Sequence, residues 1–150
     1  MKNYPVPTLN PEIACDLDVF VQHYIIAALW SSTDEGGKPL DDSKYDGRLV
    51  KGARAEMRND CIEWLNANSA LYAELKAIAS IYGYGNHPDC GTVDPVAAAC
   101  ANDLWLTRNG HGVGFWDRGL PEDIADRLTE SAKALGYCDL GVSRGWIYKD

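Results

Sequence analysis

The sequence lacks any run of about 18 consecutive apolar residues, which excludes a helix that spans a membrane. Residues 1–20 also lack the apolar centre of a secretory signal. The net charge of −8 argues against a nucleic-acid-binding surface spread over the whole protein. We therefore expect a cytoplasmic protein whose direct partners include neither a membrane nor a nucleic acid.

Motifs for catalysis and metal binding are missing as well. The sequence contains no GxGxxG that leads from a strand into a helix, and no GxxxxGK[ST], HExxH or GxSxG. Its five cysteines are odd in number and none has CxxC spacing, which fits a reducing compartment. We predict no disulfide, no metal ion held by the protein, no cofactor and no catalytic residue.

Two loops contain metal-capable residue types without a complete set of ligands. A calcium loop that starts at Asp42 fails, because its twelfth position is Ala53 rather than a bidentate glutamate. The loop 83–92 has adjacent metal-capable residues, which cannot close a tetrahedral zinc site without distant ligands. Both segments are interpreted as ordinary surface loops.

Helical periodicity covers most of the chain outside the glycine-rich segments. Apolar residues recur at helical spacing and predict helices over residues 12–30, 48–66, 70–82, 95–101 and 120–135. Three prolines predict an extended arm over residues 1–11. The length and the 46% hydrophobic content predict a single domain, residues 1–150.

The segment 103–119 reads DLWLTRNGHGVGFWDRG and organises the predicted sheet. Its centre, Asn109-Gly110, favours a type I′ hairpin turn, which requires positive φ at both residues. The sequence therefore predicts that 103–108 pairs with 112–117 in a β-hairpin.

Alternation along this hairpin sorts its side chains onto two faces. The predicted core face carries four apolar residues: Leu104, Leu106, Val113 and Phe115. Trp105 and Trp116 share the other face. A second hairpin is predicted from 137–142 and 146–148, after the last helix. The predicted fold class is thus α+β, with N-terminal helices packed on a small antiparallel sheet and hairpin–helix–hairpin order in the C-terminal half.

Three segments resemble a family of small proteins from tailed-bacteriophage genomes. They are DLWLTRNGHGVGFWDRG, the ending CDLGVSRGWIYKD and the early segment YIIAALWSSTDEGGKPLDD. The resemblance implies a protein of the cytoplasm of an infected bacterial host. It supplies no catalytic residue.

Three hypotheses of function follow. The first is a phage accessory protein that binds a host protein, such as a defence protein, and engages or inhibits it. Exposed tryptophan and arginine side chains would form the interface. The alternative is a binder of a small anionic ligand such as a nucleotide. The third is an enzyme with a site built from loops 31–47, 83–92 and 108–112. The candidate binding residues are Trp105, Arg108, His111, Trp116, Arg118, Asp34, Glu35, Asp41 and Asp42. The sequence does not indicate which oligomeric state the protein adopts.

Overall fold

The computed structural model describes residue 9, residues 11–86 and residues 94–149. Most of the predicted N-terminal arm and the metal-capable part of loop 83–92 lie outside the described residues. The elements described are α1 (Pro11–Ala14), α2 (Leu17–Ser31), α3 (Lys51–Ala67), α4 (Ser69–Tyr82), α5 (Pro95–Arg108), α6 (Glu122–Lys133), β1 (Leu140–Ser143) and β2 (Trp146–Lys149). Short 3-10 helices span Leu40–Asp42 and Phe115–Asp117. The protein is mostly helical with a small antiparallel sheet, which confirms the α+β class.

Helix α5 is buried along most of its length and packs most extensively against α2. Its buried side chains are those of Ala97, Ala98, Cys100, Ala101, Asp103, Leu104, Trp105, Leu106, Thr107 and Arg108. A helix that is buried on nearly every side has no polar stripe to reveal its period. Helices α2 and α6 pack against it, and the apolar side chains of α3 and α4 join the same core.

The predicted hairpin of 103–108 with 112–117 is wrong. Residues 103–108 belong to α5, which continues to Arg108 instead of ending at the predicted residue 101. Residues 115–117 form a 3-10 turn instead of a strand. The apolar run 104–106 fits a strand and a buried helix equally well, because a run that short cannot distinguish the two-residue period of a strand from the 3.6-residue period of a helix.

The Asn109-Gly110 pair ends helix α5 instead of turning a hairpin. Gly110 has φ +64°, the left-handed conformation that glycine adopts without strain. The amide of Gly110 donates to the Thr107 carbonyl at 3.3 Å, and the amide of His111 donates to the Leu106 carbonyl at 3.1 Å. These two bonds are those of a Schellman cap. A helix end and a type I′ turn both need a positive φ at this glycine, so the dipeptide is typical of either.

The predicted C-terminal hairpin is present. Its two-residue loop has positive φ at both residues, the type I′ geometry that was predicted instead for Asn109-Gly110. Strands β1 and β2 pair antiparallel, with Ser143 opposite Trp146 beside the turn. The turn residues Arg144 and Gly145 have φ values of 51° and 83°. Both are positive, as a type I′ turn requires. The segment before α3 adds a parallel bridge to the far edge of β2 through Leu49.

Candidate functional site

Trp105 is a core residue, contrary to the prediction that it lies on an exposed face. It is 1% exposed, and its Nε1 donates to Ser31 Oγ at 2.9 Å. The Tyr24 ring meets it edge-on, with 5.3 Å between the ring centroids. Helix α2 therefore covers the indole, and Trp105 is not available to a partner.

Arg108 is also buried, and its hydrogen bonds are made inside the protein. Nε donates to the Gly136 carbonyl at 2.8 Å, and Nη2 donates to the Leu135 carbonyl at 3.1 Å. Nη1 donates to Tyr24 Oη at 2.7 Å and to Asp60 Oδ2 at 3.1 Å. Four acceptors take up the guanidinium, so Arg108 joins the helices together and is not free to bind an anion.

His111 and Trp116 are exposed, as predicted, but they lie on the segment that follows α5 and not on a strand. The Phe115 amide in this segment donates to the Thr107 hydroxyl of α5 at 3.4 Å. Trp116 is 44% exposed. A Cβ at Gly114 would overlap the Thr107 hydroxyl and lie 2.7 Å from Trp116 Cζ3. The bare backbone of Gly114 is therefore needed because the Trp116 indole lies against it.

The acidic loop uses two of its four candidate carboxylates for its own structure. Asp34 Oδ1 accepts the backbone N–H groups two and four residues further on, both at 2.9 Å. Glu35 accepts the hydroxyl of the buried Tyr45 at 3.0 Å. Asp41 and Asp42 are exposed in the short 3-10 helix. Among the described residues no cluster of three or more metal-ligating side chains occurs.

A groove of about 550 Å³ opens between α2, residues 98–103 of α5, residues 83–86 and Arg118. Its α2 wall consists of His23, Ile26 and Trp30, which share one helix face at i, i+3 and i+7. Ile26 is 41% exposed and Trp30 is 42% exposed. This face lies beside the buried stripe of α2 and presents apolar and aromatic surface to the groove.

The floor of the groove is a buried carboxylate with a full set of partners. The Asp103 side chain is 1% exposed, and it accepts the hydroxyl of Tyr84 at 2.7 Å. Arg118 binds it through two nitrogens, with Nη2 at 2.7 Å and Nε at 3.0 Å from Oδ1. The hydrogen bond to Asp103 raises the pKa of Arg118, and burial and then Asp103 raise the pKa of Tyr84 well above its usual value. Near pH 7 the floor is therefore an ion pair with a protonated tyrosine.

The polar groups on the walls of the groove have spare hydrogen-bonding capacity. Burial lowers the pKa of His23 below its usual value of 6.5, so the imidazole is neutral near pH 7. It makes no hydrogen bond with any described residue. The Asn102 amide makes one long bond, 3.4 Å, to Asp103. The lining thus offers donors and acceptors without a net charge.

A second hollow of about 560 Å³ lies between the α3–α4 turn and α6. Its most conspicuous cation, Arg127, is already bound to Glu74 and Asp123 at 2.6 Å and 2.8 Å. Both pairs are exposed, and exposed pairs of this kind are common on protein surfaces. This hollow is the weaker candidate because it has no buried polar floor.

Of the predicted site residues, only Arg118 lies in the groove. Sequence reasoning missed Trp30, Asn102 and Asp103. A signal for the α2 wall was present, because His23, Ile26 and Trp30 recur at helical spacing next to the buried stripe. No helix among the described residues is long and apolar enough to cross a membrane. Comparison of the chain with protein-family models, curated proteins and solved structures found no match.

Proposed function

We propose that this is a binding protein that holds a small organic ligand in the groove between α2 and α5. The observation that carries the proposal is a concave site whose polar floor is buried and satisfied while its walls keep unused hydrogen-bonding groups. Ligand sites combine apolar lining with a few polar groups, in volumes of about 300–1,000 Å³. The groove, at about 550 Å³, lies in that range.

The same residues favour binding over catalysis. A nucleophile or a general base needs a free reactive atom and a partner that orients it. Asp103 and Tyr84 are hydrogen-bonded to each other, and Asp103 is also paired with Arg118. Within the described part of the chain, His23 has no carboxylate partner to orient it. The groove is therefore suited to holding a molecule rather than transforming it.

A variant that fills the groove tests the proposal. Ala99 lies in the lining and is half-buried, so Ala99→Phe inserts a ring into the space the ligand would occupy. Ala73→Phe is the matched control, because Ala73 is an exposed residue of α4 outside the groove. Both proteins are screened by ¹H–¹⁵N NMR against a library of small polar and heteroaromatic fragments, next to the wild type.

The expected result is a set of wild-type shift changes confined to the groove, retained in Ala73→Phe and lost in Ala99→Phe. A screen without hits would refute the proposal. So would hits whose shift changes lie away from α2 and α5, or hits that survive Ala99→Phe in a folded protein.

A second candidate is a contact with a partner protein through the exposed segment that follows α5. Trp116 is 44% exposed, Val113 is 41% exposed and Tyr137 is 85% exposed. The Tyr137 ring lies over Gly110, so this aromatic residue adjoins the segment. Exposed aromatic residues of this kind are typical of interface hot spots. The resemblance to phage proteins makes a host protein the expected partner, met in the cytoplasm of the infected cell.

The two candidates are separated by a pull-down from host lysate. The double variant Trp116→Ala/Tyr137→Ala should lose the captured protein, whereas Trp146→Ala, an exposed tryptophan on β2, should retain it. Capture that is unaffected by the double variant would exclude this surface.

A further inference from the structure

The charges in the groove balance one another. Asp103 and Arg118 form an ion pair, and the other polar side chains that line the groove among the described residues are neutral near pH 7. A phosphate or carboxylate would have to compete with Asp103 for Arg118, and that competition would leave a buried carboxylate without its cation. The groove therefore favours an uncharged ligand over an anionic one.

The unused polar groups each combine a donor with an acceptor. A neutral imidazole, here His23, has one N–H donor and one acceptor nitrogen. The Asn102 amide has a free carbonyl oxygen and a second N–H beyond its long bond to Asp103. Side-chain amides suit the edge of a nitrogen heterocycle, where donors and acceptors stand side by side, as in the bidentate pairing of asparagine with adenine.

Trp30 adds a flat aromatic wall to this polar edge. Its indole is 42% exposed and lines the groove one turn beyond Ile26. Aromatic side chains of this kind hold heterocyclic rings by stacking. Building on the proposed ligand-binding function, we propose that the groove takes an uncharged nitrogen-heteroaromatic ring of the nucleobase class, stacked on Trp30 and hydrogen-bonded at its edge by Asn102 and His23.

The test uses the full chain and four defined probes. Adenine and uracil carry a donor–acceptor edge, indole has an aromatic ring without such an edge, and inorganic phosphate represents the anionic alternative. Binding is measured by calorimetry and located by ¹H–¹⁵N NMR. Adenine or uracil should bind more tightly than indole, with shift changes in α2 and α5, and phosphate should not displace them.

Two variants and a control locate the contacts. Trp30→Leu keeps apolar bulk but removes the aromatic face, and it should weaken adenine or uracil binding about tenfold or more. Asn102→Leu should weaken both nucleobases and leave indole unchanged. Trp146→Leu is the control, because Trp146 is 47% exposed and lies on β2, outside the groove. Melting curves check that each variant is folded, and the Trp30 comparison stands by itself if Asn102→Leu unfolds.

The outcomes separate this inference from the proposed function. If other fragments occupy the groove but neither nucleobase does, or if phosphate binds more tightly than both, the ligand class is wrong and the groove remains a binding site. Equal affinity for indole and adenine would overturn the role of the polar edge. If no probe or fragment occupies the groove, the proposed function fails as well.

Discussion

Removal of the Arg108 side chain should strongly destabilise the protein. The guanidinium binds Tyr24, Asp60 and two backbone carbonyls, so Arg108→Ala leaves all four acceptors without it. Breaking a buried ion pair by removing one partner costs about 3–5 kcal/mol, because the remaining charge is left uncompensated.

The surroundings of Asp60 place the cost near the lower end of that range. The Asp60 side chain is 20% exposed, so water can solvate part of the carboxylate. Lys149 Nζ lies 3.7 Å from Asp60 Oδ2 and supplies a second cation. We therefore expect a loss of about 3 kcal/mol in the free energy of unfolding. At about 2–4 °C per kcal/mol for a protein of this size, the melting temperature should fall by about 6–12 °C.

The assay is urea denaturation followed by circular dichroism, with melting curves in parallel. Arg127→Ala is the control, because Arg127 is likewise an ion-paired arginine, but it binds its two carboxylates on the exposed surface. It should change the melting temperature little, since solvent and salt screen exposed pairs. Arg108→Lys should not rescue stability, because one ammonium group cannot replace the planar fork that reaches four acceptors. If Arg108→Ala is no less stable than Arg127→Ala, the structural role of Arg108 is wrong.

Two further predictions concern stability. Gly114→Ala should destabilise the protein, because a Cβ there overlaps the Thr107 hydroxyl and the Trp116 ring. Gly52→Ala lies in the first turn of α3, where the added Cβ meets no atom within 4 Å, and it should stabilise the protein slightly through helix propensity. Equal melting temperatures for the two variants would contradict this. Burial alone would raise the pKa of Asp16, but hydrogen bonds from neighbouring side chains outweigh it and hold the pKa below its usual value. The Asp16 contribution is therefore complete above about pH 4 and is lost as the pH falls through the folded-state pKa. Melting temperatures measured between pH 6 and pH 2.5 should fall more steeply with pH in the wild type than in Asp16→Asn. If the two proteins lose melting temperature in parallel, Asp16 makes no such contribution.

Local signals in the sequence predicted the outer helices well. The stripe through Leu17, Phe20 and Tyr24 is buried as expected, because α2 has one face to the core and its period is visible. The acids after Pro121 mark the start of α6 within a residue or two. Amphipathic elements carry their own period and their own ends, and these can be read without knowledge of the rest of the fold.

Helix α5 and the groove could not be predicted from any short segment of the sequence, because both depend on tertiary contacts. Residues 103–108 are buried on all sides of α5, so polar residues such as Asp103 and Arg108 break the apolar pattern at places that only their tertiary partners explain. Asp103 meets Tyr84 and Arg118, and these contacts join residues 19 and 15 positions apart in sequence. Trp105 was misassigned for the same reason, because its exposure depends on where α2 packs, whereas Trp116 is exposed as predicted.

The burial of α5 on nearly every side shields its backbone amides from solvent. We expect an amide hydrogen in the middle of this helix to reach solvent only when α2 and α6 separate from it, because both helices pack against α5. Exchange with deuterium over residues 100–106 should therefore proceed through the global unfolding step, with protection close to the full free energy of unfolding. We expect the ends of the surface helices to open by local fraying and the centre of α5 to open only on global unfolding.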